Sequence, residues 1–193
     1  TDLWANNFGT VEESGGRARV ACTTGYSAFS SSHMWRLAES QVHVRVYPGA
    51  DASANQMLVM PTDVVGTDIG FEINTDAGTL SCFNRVGWSD PDAEVLTYDP
   101  VDHAWLRLRE TAGTVYWETS ANGTTWTTRR TDTSPAWTVE PTLEFQLIAH
   151  RDAGADDFAE FDNVNIAQAV VVALDPAGET DDARPLGAHK TKT

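Results

Sequence analysis

The chain has 193 residues, 41% of them hydrophobic and 9% aromatic, which suits one all-β domain with a substantial core and an appendage, and requires no second domain. Its formal charge of −15 excludes a general nucleic-acid binder, whose affinity comes from Lys and Arg neutralising phosphates, and equally a protein that docks on an anionic membrane. No apolar run approaches the roughly 20 residues of a membrane span, and no charged-then-apolar leader opens the chain, so membrane insertion is not expected.

In chain order, a strand over residues 9–13 and the turn Ser14-Gly15-Gly16 precede a strand RARVAC over 17–22, and Gly25-Tyr26 marks the next turn. Residues 30–33 read as loop. Residues 41–47, QVHVRVY, alternate strictly, with Val42, Val44 and Val46 on one face. Extended segments follow over 56–60, 69–74 and 79–85, the last two flanking a turn at Asp76-Ala77-Gly78. The acidic, proline-bearing stretch 87–100 carries Trp88 and one short edge strand near 95–98. Residues 104–130 form a three-strand meander with turns at Ala112-Gly113 and Asn122-Gly123. A loop with Trp137 spans 132–141, and final strands span 142–151 and 157–166. From Gln168 the composition turns to Pro, Gly, Asp and Thr, so residues 1–167 are expected as the sandwich and 168–193 as an extended tail or linker. About a dozen strands without helical periodicity predict an antiparallel β-sandwich or jelly roll.

Counting outward from the meander's two turns sets Leu108 against Trp117, Leu106 and Trp126 against Thr119, and Thr128 against Trp117. One face then holds Leu106, Leu108, Val115, Trp117, Thr119 and Trp126, and the other Trp105, Arg107, Arg109, Tyr116, Glu118 and Arg129. Aromatic rings stack on sugar faces while Arg and Glu hydrogen-bond hydroxyls, so the second set is a candidate glycan platform, and the loop residues Trp88 and Trp137 are further candidate contacts. The alternative is a solvated face with Arg107–Glu118 as a cross-strand ion pair of little worth. SANGTTW over 120–126 resembles a shortened Asp-box hairpin, in which Ser120 and Asn122 bond the turn backbone and Trp126 packs beneath.

Cys22 and Cys82 are compatible with one disulfide or none, and two isolated thiols with scattered histidines do not make a zinc site. No HExxH, Gly-x-Ser-x-Gly elbow, phosphate loop or CxxC occurs.

Three blocks, WANNFGTVEESGGRARVACTTGYSAF, WLRLRETAGTVYWETSANGTTWTTRR and AHRDAGADDFAEFDNVNI, resemble concanavalin A-like (laminin G/glucanase-type) β-sandwiches, in particular those of actinobacterial phage minor tail proteins. The phrase ALDPAGETDDARPLG resembles a connector of such proteins, with Asp182 and Arg184 departing from it. The resemblance implies a virion module that contacts other tail subunits or a host cell-wall glycan. Resemblance to tail proteins in general also implies a homo-oligomer, a trimer. A secreted bacterial carbohydrate-binding accessory domain of a glycoside hydrolase is the alternative. Glu160-Phe161-Asp162 resembles part of the ExDxxE or ExDxE glucanase signature but lacks its third carboxylate, so no catalytic residues are expected and the module reads as non-enzymatic. Related sandwiches place a structural calcium between the final strand and the N-terminal segment, which implies Asp162 as a ligand, with Glu160, Asn163 or an N-terminal carbonyl completing the set.

Overall fold

Strict apolar–polar alternation, as over Ser40–Tyr47 and Trp105–Thr111, gives a strand one buried and one open face, and two sheets of such strands cover their apolar faces by packing on each other. The computed structural model, which describes residues 4, 6–49, 54–168, 173–174 and 180–181, shows that outcome as a concanavalin A-like β-sandwich of two antiparallel sheets. The strands are β1 (Val11–Ser14), β2 (Arg17–Cys22), β3 (Ser27–Ser30), β4 (Ser40–Tyr47), β5 (Ala54–Pro61), β6 (Asp68–Asn74), β7 (Thr79–Arg85) and β8 (Glu94–Thr97). They continue as β9 (Trp105–Thr111), β10 (Thr114–Ser120), β11 (Thr127–Thr133), β12 (Gln146–Arg151) and β13 (Asp157–Gln168). A short pair, β14 (Ala173–Leu174) with β15 (Thr180–Asp181), follows; the rest of the expected tail lies outside the described residues.

One sheet has seven strands in the order β1-β2-β13-β4-β9-β10-β11 and the other six in the order β3-β12-β5-β6-β7-β8. Between them lies a core whose largest fully buried side chains include Trp117, Phe71, Phe145 and Phe161. Trp117 of β10 ties the sheets together, donating from its indole nitrogen to the Gly70 carbonyl of β6 at 2.9 Å. A side chain at Gly70 would meet the Leu58 carbonyl oxygen at 1.9 Å, so β5 and β6 approach there only because position 70 is glycine. Cys22 and Cys82 are both buried and not joined in a disulfide, and burial pushes the thiol of Cys82 up to about 12. Among the described residues no helix is long and apolar enough to cross a membrane.

The first meander turn folds as its sequence predicts. Ala112 and Gly113 both take positive φ (50° and 79°), and the register sets Leu108 against Trp117 and Arg107 against Glu118. The second does not. Thr119 pairs with Thr127 and Glu118 with Thr128, and a bulge then brings Arg130 opposite Trp117. Asn122 is not at positive φ; its side-chain oxygen instead accepts from the Thr124 and Thr125 amides, both at 2.9 Å, while Ser120 Oγ accepts from the Asn122 and Gly123 amides. These bonds close a loop over 121–126 in place of a two-residue turn, so Trp126 leaves the core-facing set. Arg129, skipped by the bulge, reaches the core-side hydroxyl of Thr119 at 2.8 Å and leaves the polar set. Strand β3, with all four residues buried, has no alternation by which a sequence reading would find it.

Candidate functional site

The outward side of the seven-stranded sheet follows from the same alternation that buries Val42, Val44 and Val46. Each odd residue of β4, namely Gln41, His43, Arg45 and Tyr47, points the other way and is half-buried. Strand β9 lies alongside, pairing Trp105 with Arg45, Arg107 with His43 and Arg109 with Gln41. Strand β10 adds Tyr116 and Glu118. On the other flank of β4, strand β13 contributes Phe158, Glu160 and Asp162, and beyond it β2 contributes Arg17 and Arg19. From β2 to β10 these residues span four inter-strand gaps, about 19 Å at 4.8 Å each.

Every arginine of this face lies over an aromatic ring. Arg17 sits 3.6 Å from the Tyr47 ring centroid, Arg19 4.1 Å from Phe158, Arg107 4.2 Å from Trp126 and Arg109 4.0 Å from Tyr116. Arg45 lies between two rings, 4.9 Å from Tyr47 and 5.8 Å from Trp105. Trp126, displaced from the core by the 121–126 loop, thus fills a place on this face, with His43 5.8 Å away on its other contact. Trp105 packs on the same loop, at a position where a side chain on Gly123 would come within 2.9 Å of the indole.

Carboxylates fix most of the guanidinium groups. Glu118, 5% exposed, takes Arg107 Nε at 2.7 Å and Arg109 at 3.2 Å. Burial pushes its carboxyl up, but hydrogen bonds from Arg109 and Arg107 outweigh burial and hold it below the usual carboxylate range. Glu160 takes Arg17 at 2.6 Å and Arg19 at 3.1 Å, and Arg19 also bonds Glu12. Desolvation, then the charge of Arg107, push the imidazole of His43 below its ordinary value, so it is neutral at pH 7.

The sequence-predicted set Trp105, Arg107, Arg109, Tyr116 and Glu118 is therefore brought together on one surface. Trp88 and Trp137 are not part of it. Trp88 projects from the β7–β8 connection of the opposite sheet, 67% exposed and at φ 68°, its amide bonded to the Gly66 carbonyl. Trp137, in a 3-10 turn over Ala136–Val139, packs against the core. His43, Arg45, Tyr47, Trp126, Phe158, Arg17 and Arg19 are members that sequence reasoning missed; the alternation of QVHVRVY signals the first three. Glu160 and Asp162 leave β13 on the same side, but both Glu160 oxygens carry a guanidinium, and Asp162 accepts from the Asn163 amide at 2.7 Å and its Nδ2 at 3.2 Å. Charge compensation at Glu160 is thus already supplied by arginine, and among the described residues no group of three or more His, Cys, Asp or Glu is placed to hold a metal ion. A depression of about 310 Å³ lined by Trp4, Asn7, Val11, Glu12, Glu13 and Phe29 lies at the β1 edge.

No protein-family model and no curated protein matches the chain. Solved structures do. A Crh5 transglycosylase superposes with a TM-score of 0.66 at 11% identity, over 88% of this chain and 80% of that one. A β-glucanase of Bacillus licheniformis gives 0.60 at 11% identity over 80% of each chain, and a legume lectin-like domain from Entamoeba histolytica gives 0.62 at 9% over 86% and 90%. At such identity the likeness concerns the fold. It corrects the non-enzymatic expectation: a transglycosylase and a β-glucanase are built on this architecture, so the incomplete ExDxxE signature does not set the chain apart from enzymes. The tail-protein resemblance finds no support among these neighbours, whose names concern glycans or lectins. The chain is a concanavalin A-like sandwich of the kind shared by glucanases, transglycosylases and lectin-like domains.

Proposed function

We propose that the outward face of the seven-stranded sheet binds a polysaccharide, and that the chain serves as the carbohydrate-recognition domain of an extracellular, glycoside hydrolase-related protein. The observation that carries this reading is the mosaic of Tyr47, Trp105, Tyr116, Trp126 and Phe158 with ring-stacked arginines across neighbouring strands. Rings offer flat apolar surfaces to the C–H faces of sugars, and guanidinium donors between them reach hydroxyls. Because Glu118 and Glu160 already hold four of the arginines, little side-chain freedom remains to be lost on binding. Hydrolysis or transglycosylation is a second reading, favoured by the enzymes among the structural neighbours and by Glu160 and Asp162 facing the same surface.

Affinity electrophoresis against a panel of soluble polysaccharides tests the first reading. Trp105→Ala and Trp126→Ala should each weaken retention by roughly tenfold, about 1.4 kcal/mol, whereas Trp88→Ala on the opposite sheet should leave it unchanged. Equal retention of wild type and both face variants would sink the proposal. Release of reducing ends from the retained polymer, lost in Glu160→Gln, would establish the second reading on β13.

A further inference from the structure

Five arginines line the binding face, and four have carboxylate partners: Arg17 and Arg19 on Glu160, Arg107 and Arg109 on Glu118. Arg45, at the centre of the sheet on β4, has none. Among the described residues it makes no ion pair, and its Nε is sealed from water without an acceptor. The carboxylate nearest in register is Asp162, its Cα partner on β13. That strand bulges between Asp162 and Asn165, with Asn163 at φ 51°, and Asp162 bonds the Asn163 amide and side chain in place of Arg45. His43, two residues away on the same face, is neutral and adds no competing charge. What holds the Arg45 guanidinium in position is the pair of rings on either side of it, Tyr47 and Trp105.

A guanidinium presents five donors and is never deprotonated, so leaving it half-buried without an anion costs free energy that an incoming carboxylate recovers. Charge-assisted, forked pairing with a carboxylate is also the strongest hydrogen-bonding mode open to arginine. Neutral sugars make no such demand, because the four paired arginines already supply donors for hydroxyls. Resting on the polysaccharide reading above, we propose that Arg45, flanked by Tyr47 and Trp105, is a subsite for the carboxylate of an acidic sugar, so that the ligand of this face is a uronate-bearing polysaccharide. The chain's overall charge of −15 repels such a polymer at long range. That field decays within about 8 Å at physiological salt, so discrimination comes from contact at Arg45.

The test uses affinity gels at 150 mM salt containing alginate, polygalacturonate or hyaluronate, with mixed-linkage β-glucan and laminarin as neutral polymers, and the variants Arg45→Gln and Arg45→Lys. The expected result is stronger retention by at least one acidic polymer than by either neutral one. Arg45→Gln should lose at least tenfold in affinity for that polymer and a smaller factor on the neutral ones, for which Arg45 is one donor among five. Arg45→Lys, which keeps the charge without the fork, should fall between. Among the described residues the guanidinium makes no hydrogen bond or ion pair, only ring contacts, so both variants should unfold close to the wild-type temperature, which separates lost recognition from lost structure. Unchanged acidic retention in Arg45→Gln, or wild-type preference for the neutral polymers, would overturn the acidic subsite while leaving polysaccharide binding in place. If no polymer of either class retards the wild type, the binding face itself is overturned, and the subsite with it.

Discussion

Trp117→Ala is expected to lower the unfolding free energy by about 3–5 kcal/mol, measured by denaturant titration of the far-ultraviolet circular dichroism. The indole is wholly buried between the sheets, so its removal leaves a cavity bounded by strands from both. It also strips the Gly70 carbonyl of its donor in a place that water does not reach. Arg130, stacked 4.8 Å from the indole on the edge strand β11, loses its platform as well. A domain of this size is stable by only about 5–15 kcal/mol, so the variant should be marginally folded at 25 °C. Trp117→Phe, which fills most of the space without restoring the hydrogen bond, should recover part of the loss. A midpoint for Trp117→Ala within error of wild type would show that the sheets are held elsewhere.

Glu118→Gln is the second large effect. Its carboxylate bonds Arg107 and Arg109 from neighbouring strand positions, and removing the charge leaves two guanidinium groups facing each other without compensation. Breaking a buried pair in this one-sided way costs about 3–5 kcal/mol, and because the arginines are 17% and 27% exposed the cost should fall near the lower end. The same interaction sets a pH dependence. Glu118 has a folded-state pKa below its unfolded value, so its stabilising contribution is complete above the unfolded value, near pH 4.3, and is lost as pH falls through the folded one. Asp90, held low by Arg130 against the opposing effect of burial, acts with the same sign. Wild type and Glu118→Gln should therefore differ most at pH 6–7 and converge as the carboxylate protonates. Curves that stay parallel down to pH 2.5 would show that the carboxylate charge is not what Arg107 and Arg109 require. Because those arginines carry Trp126 and Tyr116, glycan retention should weaken in the same variant.

Most of the strands and their facing were legible in the sequence, because alternation with a period of two reports burial at each position independently of what covers it. The Ala112-Gly113 register was legible for a related reason: a two-residue turn leaves no freedom in the count. Asn122-Gly123 misled because the Asn side chain, by accepting from two later amides, stabilises a longer loop that competes with the two-residue turn, and a pair of letters does not show which wins.

By itself the sequence determined an all-β sandwich, its core-facing residues and one polar, aromatic strip on β9 and β10. Only the tertiary structure decided that β4 lies beside β9 and β13 beside β2, and with that the rest of the face: Trp126 over Arg107, Glu160 shared by Arg17 and Arg19, and Arg45 left between two rings without a carboxylate. The partners of these contacts stand up to 143 residues apart in the chain. Local periodicity settles which side of a strand is dry; which strand lies next to it depends on the burial of the whole sandwich at once.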